Sequence, residues 1–209
     1  MSALAALALC ATMVAPIELT PTDDAWVYVH ASSTSDPFLR AWGSGDAAVD
    51  NVYPPGGEYS YSYMAFELPR DNSVPARLGS AKLMLLVAKA EALDKGLVEK
   101  YPLEARPLSG AFREQGWSMQ NSQLAPGAKP YGLGTAEFKP DEDFWVTIDL
   151  MKEPGAFQQA WSDALAGNHR LGLAITTKMD AQSGVFYRFY SRENDPSKRP
   201  RLIIAPVEE

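Results

Sequence analysis

The sequence has one cysteine, Cys10, and two histidines, His30 and His169. One thiol builds neither a disulfide framework nor a Cys-rich zinc site. Two distant histidines leave little room for zinc chemistry or a His-dependent nucleophile relay. Positive charge is also scarce: 19 Lys+Arg stand against 26 Asp+Glu, a formal net charge of -7. A general nucleic-acid binder needs a broad cationic surface to displace counterions, so that class is excluded. The uncharged apolar run Ala3–Ala15 has about 13 residues, short of the roughly 20 that span a bilayer. There is no Gly-x-Ser-x-Gly elbow, no phosphate loop ending in Gly-Lys-Ser/Thr and no His-Glu-x-x-His. An EF-hand is absent too, and the acidic run Asp141-Glu142-Asp143 reads as a solvated turn.

What is present points to a folded β domain. With 209 residues, 46% of them hydrophobic, the chain is long enough to bury one sizeable core and too apolar to be disordered. Residues 1–15 read as a secretory signal whose apolar stretch ends at Pro16, and residues 16–209 as a single domain. That assignment places the protein outside the cytoplasm, secreted or at the cell surface. Beyond Pro16 the dominant period is two. Strands are expected at Ala25–Ala31, Phe38–Trp42, Tyr59–Leu68, Ala81–Ala88, Tyr101–Leu108, Phe144–Asp149, Leu171–Thr177, Val185–Ser191 and Arg201–Ala205. Their inward rows carry Phe66, Leu68, Leu83, Leu85, Val87, Ile148, Leu173, Ile175, Leu202 and Ile204. Phe157, Trp161 and Leu165 recur every four residues between Pro154 and Gly167, which predicts one short helix in the C-terminal half. Gly132-Leu133-Gly134 reads as a loop. The expected fold is all-β: a jelly-roll β-sandwich of two antiparallel sheets with that single helix.

Aromatic residues are the most informative class, with five Trp, nine Tyr and eight Phe. Sugar rings stack their C–H faces on aromatic planes, and arginine forks hold vicinal hydroxyls or carboxylates. Tyr61 and Tyr63, two apart on one strand, are the leading platform, with Trp42, Arg188 and Tyr190 as neighbours and the loop near Trp117 as the alternative. Asp24, Asp149 and Glu193 stand at strand ends beside aromatic and arginine residues. They are expected to hydrogen-bond to arginine or backbone groups, or to hold a structural Ca²⁺; no cofactor is required otherwise.

Several segments, in order, resemble the DNRLRE domain family, which overlaps carbohydrate-binding module family 96. Phe189-Tyr190-Ser191-Arg192-Glu193 and Arg199-Pro200-Arg201-Leu202-Ile203-Ile204 are similar to its closing strands, and Asp24-Ala25-Trp26-Val27 to its opening one. Phe66-Glu67-Leu68-Pro69, Gly79 to Leu85, Phe112-Arg113-Glu114 with Trp117, and Trp145 to Leu150 follow in the family's order. The resemblance covers roughly residues 22–205. Where the family commonly carries an arginine before its Phe-Asp-Leu strand, this chain has Ser62, Tyr63 and Met64. The resemblance implies a secreted, non-catalytic polysaccharide-binding module with a glycan as partner, monomeric or part of a larger assembly. A structural or adhesion domain of a cell-surface protein, and a jelly-roll polysaccharide lyase using Tyr28/His30 or Tyr190/Arg188, are the other readings.

Overall fold

The alternating rows form strands in the computed structural model, which describes residues 15–28, 31–43, 59–71, 73–90, 92–108, 112–117, 126–179 and 185–207. These strands are β1 (Ile17–Leu19), β2 (Asp23–Tyr28), β3 (Ala31–Ser33), β4 (Phe38–Ala41), β5 (Ser60–Glu67) and β6 (Leu78–Val87). Then come β7 (Leu103–Pro107), β8 (Gly132–Ala136), β9 (Phe144–Asp149), β10 (Arg170–Thr177), β11 (Tyr187–Tyr190) and β12 (Arg201–Pro206). All pairings among the described strands are antiparallel, and the fold is all-β as expected.

The strands hydrogen-bond as one curled sheet, not as two separate ones. Its path runs β1-β12-β6-β9-β8-β7-β10-β5-β2-β3, with β11 joined to β6 and β4 to β11. The inward rows of the two halves meet in one cluster: Leu83, Leu85, Val87, Ile148, Leu202 and Ile204 against Phe66, Leu68, Leu173 and Ile175, all buried. Strand β8 is the joint. Its Gly132 pairs with Ala105 of β7 and its Gly134 with Ile148 of β9. A Cβ on Gly132 would lie 2.0 Å from the Asp149 carbonyl oxygen, so only glycine lets the backbone come this close. The segment was expected to be a loop because glycines carry no period; the close approach they permit is the reason it is a strand.

Among the described residues two α-helices are present where one was expected. α1 (Lys95–Lys100) starts at Asp94, whose side chain accepts the Leu97 N–H at 2.8 Å, and buries Val98. Its six residues are too few for the apolar stripe by which a helix is recognised. α2 (Pro154–Ala166) follows the expected stripe, burying Phe157 and Trp161 in the main core while the Trp161 Nε1–H donates to the Pro75 carbonyl at 2.8 Å. The leader, Cys10 and His30 lie outside the described residues.

Two substitutions test this architecture. Leu85→Ala should cost about 2–5 kcal/mol in urea unfolding, because the site has little freedom to collapse. Gly132→Ala should lower the melting temperature despite its small volume change, since the clash is with backbone.

Candidate functional site

The two halves of the sheet differ in what covers their outer faces. Tyr59, Tyr61 and Tyr63 of the β5 segment point outward with Ala25 and Val27 of β2, and form a second buried cluster with Phe112. Trp117 packs against that cluster, its ring centroid 5.5 Å from Tyr63 and 4.9 Å from Phe112. Tyr61 is 6% exposed and Tyr63 0%, and the Tyr63 hydroxyl donates to the Tyr61 hydroxyl at 3.0 Å. Burial holds the Tyr63 phenol far above its ordinary pKa, with Tyr61 adding to the shift. The expected Tyr61/Tyr63 platform is therefore wrong. Their spacing fits a sugar-binding strand equally well as a packed one, and the 112–117 segment settles which it is.

A set of carboxylates and arginines fastens that segment. Glu114 Oε1 accepts the Asp24 backbone N–H at 2.6 Å and the Arg192 Nε–H at 2.7 Å, while Oε2 takes Arg192 Nη2. Asp23 accepts the Glu114 N–H at 3.0 Å through Oδ1 and Arg170 Nη2 at 2.6 Å through Oδ2. The same Arg170 nitrogen donates to the Phe112 carbonyl at 2.7 Å. Asp24 is 1% exposed, accepts the Arg192 N–H at 2.7 Å, and faces Glu193, which pairs with Arg192 Nε at 3.0 Å. Two of the three expected carboxylates, Asp24 and Glu193, thus come together, and Glu114 completes the set. Oxygens of all three lie within 4.8 Å of one another. Asp149 is exposed and elsewhere, accepting the Met151 N–H at 2.9 Å to fix the turn after β9. A carboxylate's neighbours in space, not its place at a strand end, decide membership of such a cluster.

Three carboxylates at that distance suit a divalent cation in principle. Here the guanidinium of Arg192 already lies among them, and both Glu114 oxygens are spent on N–H donors. Ca²⁺ needs six to eight oxygen ligands, so these residues fit it poorly. The cluster still carries more negative than positive charge. Burial pushes the Asp24 carboxyl up to about 8, the Arg192 N–H opposes this, and Glu193 and Glu114 push the same way as burial. Asp24 is therefore protonated at neutral pH.

Among the described residues, no chain segment covers the outer face of the other half. Phe38, Arg40 and Trp42 alternate with buried Leu39 and Ala41 along β4, and exposed Phe186 and Arg188 with buried Tyr187 along the β11 segment. Phe38 faces Tyr190, and Leu86 of β6 faces Trp145 of β9. With the Phe189–Val87 register between β11 and β6, the row Phe38, Tyr190, Leu86, Trp145 crosses four strands, roughly 14 Å. A cation lies over each of its rings. Arg188 is 4.5 Å from the Phe38 centroid, Lys198 4.4 Å from Tyr190 and Arg201 5.2 Å from Trp145. Trp42 stands at the end of this face between Tyr28 and Phe186, at 5.3 and 5.4 Å, with Phe186 39% exposed.

Three of the expected residues, Trp42, Arg188 and Tyr190, thus share the uncovered face. Phe38 and Trp145 were missed. They sit on β4 and β9, which are not neighbours, and only cross-strand register brings them into one row. Arg188 also stands directly opposite Arg40 across β4 and β11, a like-charge pairing that costs stability. Asp36 balances Arg40 at 3.2 Å, whereas Arg188 has no carboxylate partner among the described residues.

No protein-family model matches the chain, and no curated protein matches it.

The protonated Asp24 gives a signed pH prediction. Its folded pKa lies above the unfolded value near 3.8, so the native state binds the extra proton between about pH 4 and 8. Its contribution to stability is then present at low pH and lost as pH rises through 8. Asp24→Asn keeps an acceptor for the Arg192 N–H and a donor for Glu193. It should melt near the wild-type temperature at about pH 4 and increasingly above it as pH rises to 8. Parallel loss of stability in both proteins over that range would assign the dependence to another group.

Proposed function

We propose that the protein is a secreted, non-catalytic carbohydrate-binding module that takes polysaccharide on the uncovered face of β4, β11, β6 and β9. The observation that carries this reading is the row of rings with a cation over each. The half-buried rings of Phe38 and Trp145 supply apolar surface for sugar C–H faces, with Tyr190 and Leu86 buried between them. Arg188, Lys198 and Arg201 supply donors and positive charge for hydroxyls and carboxylates. Uronate polymers such as alginate fit this chemistry better than neutral glucans, because every ring in the row is paired with a cation. The charge of -7 on the whole chain does not oppose this, since a ligand responds to the local field.

The lyase reading is weaker on geometry. The Tyr190 hydroxyl donates to Asp143 Oδ2 at 2.7 Å and accepts from Lys198 Nζ at 3.0 Å. Removing that phenolic proton to make a base would set two anions in contact, at a cost the single nearby ammonium must offset. A purely structural domain would not need an arginine placed opposite another arginine.

Affinity electrophoresis in gels containing alginate tests the assignment. Arg188→Ala with Arg201→Ala should abolish the retardation seen for the wild type while shifting the melting temperature by only a few degrees, as expected for surface positions. Wild-type migration unaffected by alginate, or full retardation of the double variant, would remove this face as the binding site.

A further inference from the structure

A second cationic feature lies at the β8 joint, on residues the uncovered ring row does not use. A cleft of about 500 Å³ is lined by Lys100, Arg106, Lys129, Lys152 and Lys178, with Glu104 and Glu153 the carboxylates in its wall among the described residues. Its volume is in the range of small-molecule sites. Apolar wall is supplied by Pro102, Pro130 and Leu133, the last 43% exposed. A neighbouring depression beside α1 shares Pro102, Leu133 and Lys152 with it, but its added lysines, Lys95 and Lys139, are paired with Glu99 and Glu142.

The cleft is built on a fixed frame. Arg106, 1% exposed, donates through Nε and Nη2 to Glu104 Oε2 at 2.9 and 2.6 Å, and through Nε to Thr176 at 3.0 Å. Its Nη1 donates to the carbonyls of Gly127 and Ala128 at 3.3 and 2.8 Å. Gly127 N–H to the Pro107 carbonyl at 2.7 Å and Tyr131 N–H to the Ala105 carbonyl at 2.8 Å pin the segment on both sides of Lys129 to β7. Lys152 and Glu153 directly precede α2, so the positive end of a 13-residue helix dipole lies at the rim. Glu153 makes no side-chain capping bond there.

The kind of cation specifies the ligand. The one arginine is buried, and its partner Glu104 cancels its charge. The four remaining cations are exposed lysines, and Lys129 and Lys152 make no ion pair among the described residues. Lysine is a compact point charge with no planar preference, so a lysine cluster responds to charge density, which is highest for a compact ligand bearing two or more phosphate or sulfate groups. We propose that this cleft binds a small ligand bearing two or more tetrahedral oxyanion groups, sulfate or phosphate esters on a compact scaffold with some apolar surface. The site does not depend on the glycan-binding face.

Titration calorimetry at constant ionic strength tests this on the intact protein, with inorganic pyrophosphate, a disulfated disaccharide and citrate as probes. At least one of the first two should bind one-to-one, at least tenfold more tightly than citrate. Lys129→Glu with Lys152→Glu should weaken that binding at least tenfold, and Lys129→Arg with Lys152→Arg less. Preference for pyrophosphate marks a phosphate ligand and preference for the disulfated sugar a sulfated glycan; either supports the site. Absence of binding by both, citrate binding as tightly, or unchanged affinity in the glutamate variant would overturn it. Alginate retardation of the glutamate variant should equal that of the wild type, which separates this site from the ring row.

Discussion

Glu114 is the point on which the asymmetry of the molecule depends. Its carboxylate holds Asp24 of β2 from one half of the sheet and Arg192, just beyond β11, from the other. It also lies on the segment that lays Phe112 and Trp117 over Tyr61 and Tyr63. Three ordinary consequences follow from one side chain: the two halves are tied at the edge remote from β8, the outer face of β5 and β2 becomes core, and the opposite outer face is left as the accessible one. A half-buried carboxylate committed to two arginine nitrogens and a backbone N–H is costly to disrupt, because loss of either partner strands a charge. Asp24 avoids that cost differently, by keeping its proton.

The other constraint is geometric. A sheet this curled needs a strand able to pair with both halves, and β8 does so through glycines whose missing Cβ atoms allow backbone contact. Glycine has a further effect there. Without side chains at 132 and 134, Leu133 is the side chain that stands out at the joint, and the wall around it is supplied by neighbouring loops. Arg106 fixes one of these loops from beneath.

These two constraints explain which parts of the fold were legible in the sequence. The β6, β9, β10 and β12 rows were readable because period-two alternation of Leu, Ile and Val reports a surface with one buried side. α2 was readable from Phe157, Trp161 and the Pro154 start. β8 was not, since a strand specified by the absence of side chains has no alternation to read. Tyr61 and Tyr63 failed for a related reason. Alternation says that two faces differ from each other, and β5 has both faces buried; the cover comes from residues some fifty positions later. Asp24 and Glu193 were recognisable as groups that must be paired when desolvated, but the choice of Glu114 over Asp149 rests on the path of a loop.

The arginines and lysines divide by the kind of partner they have, and this division carries the functional argument further than their number does. Arg106, Arg170 and Arg192 are held by carboxylates in or near the interior, where pairing cancels their charge and makes them fasteners. On the outer face Arg188 lies over a ring instead, while Lys198 and Arg201 lie over rings and also approach Asp143 at 3.6 Å and Glu18 at 3.7 Å. A ring positions a cation through its quadrupole without neutralising it, so order is gained and charge is retained. Arg188 is the clearest case, because the residue opposite it is Arg40. Folding alone would favour a carboxylate or a neutral residue at that position. Among the described residues Arg188 thus keeps a charge that no carboxylate neutralises, a liability for the free protein and an asset once an anionic chain lies across it.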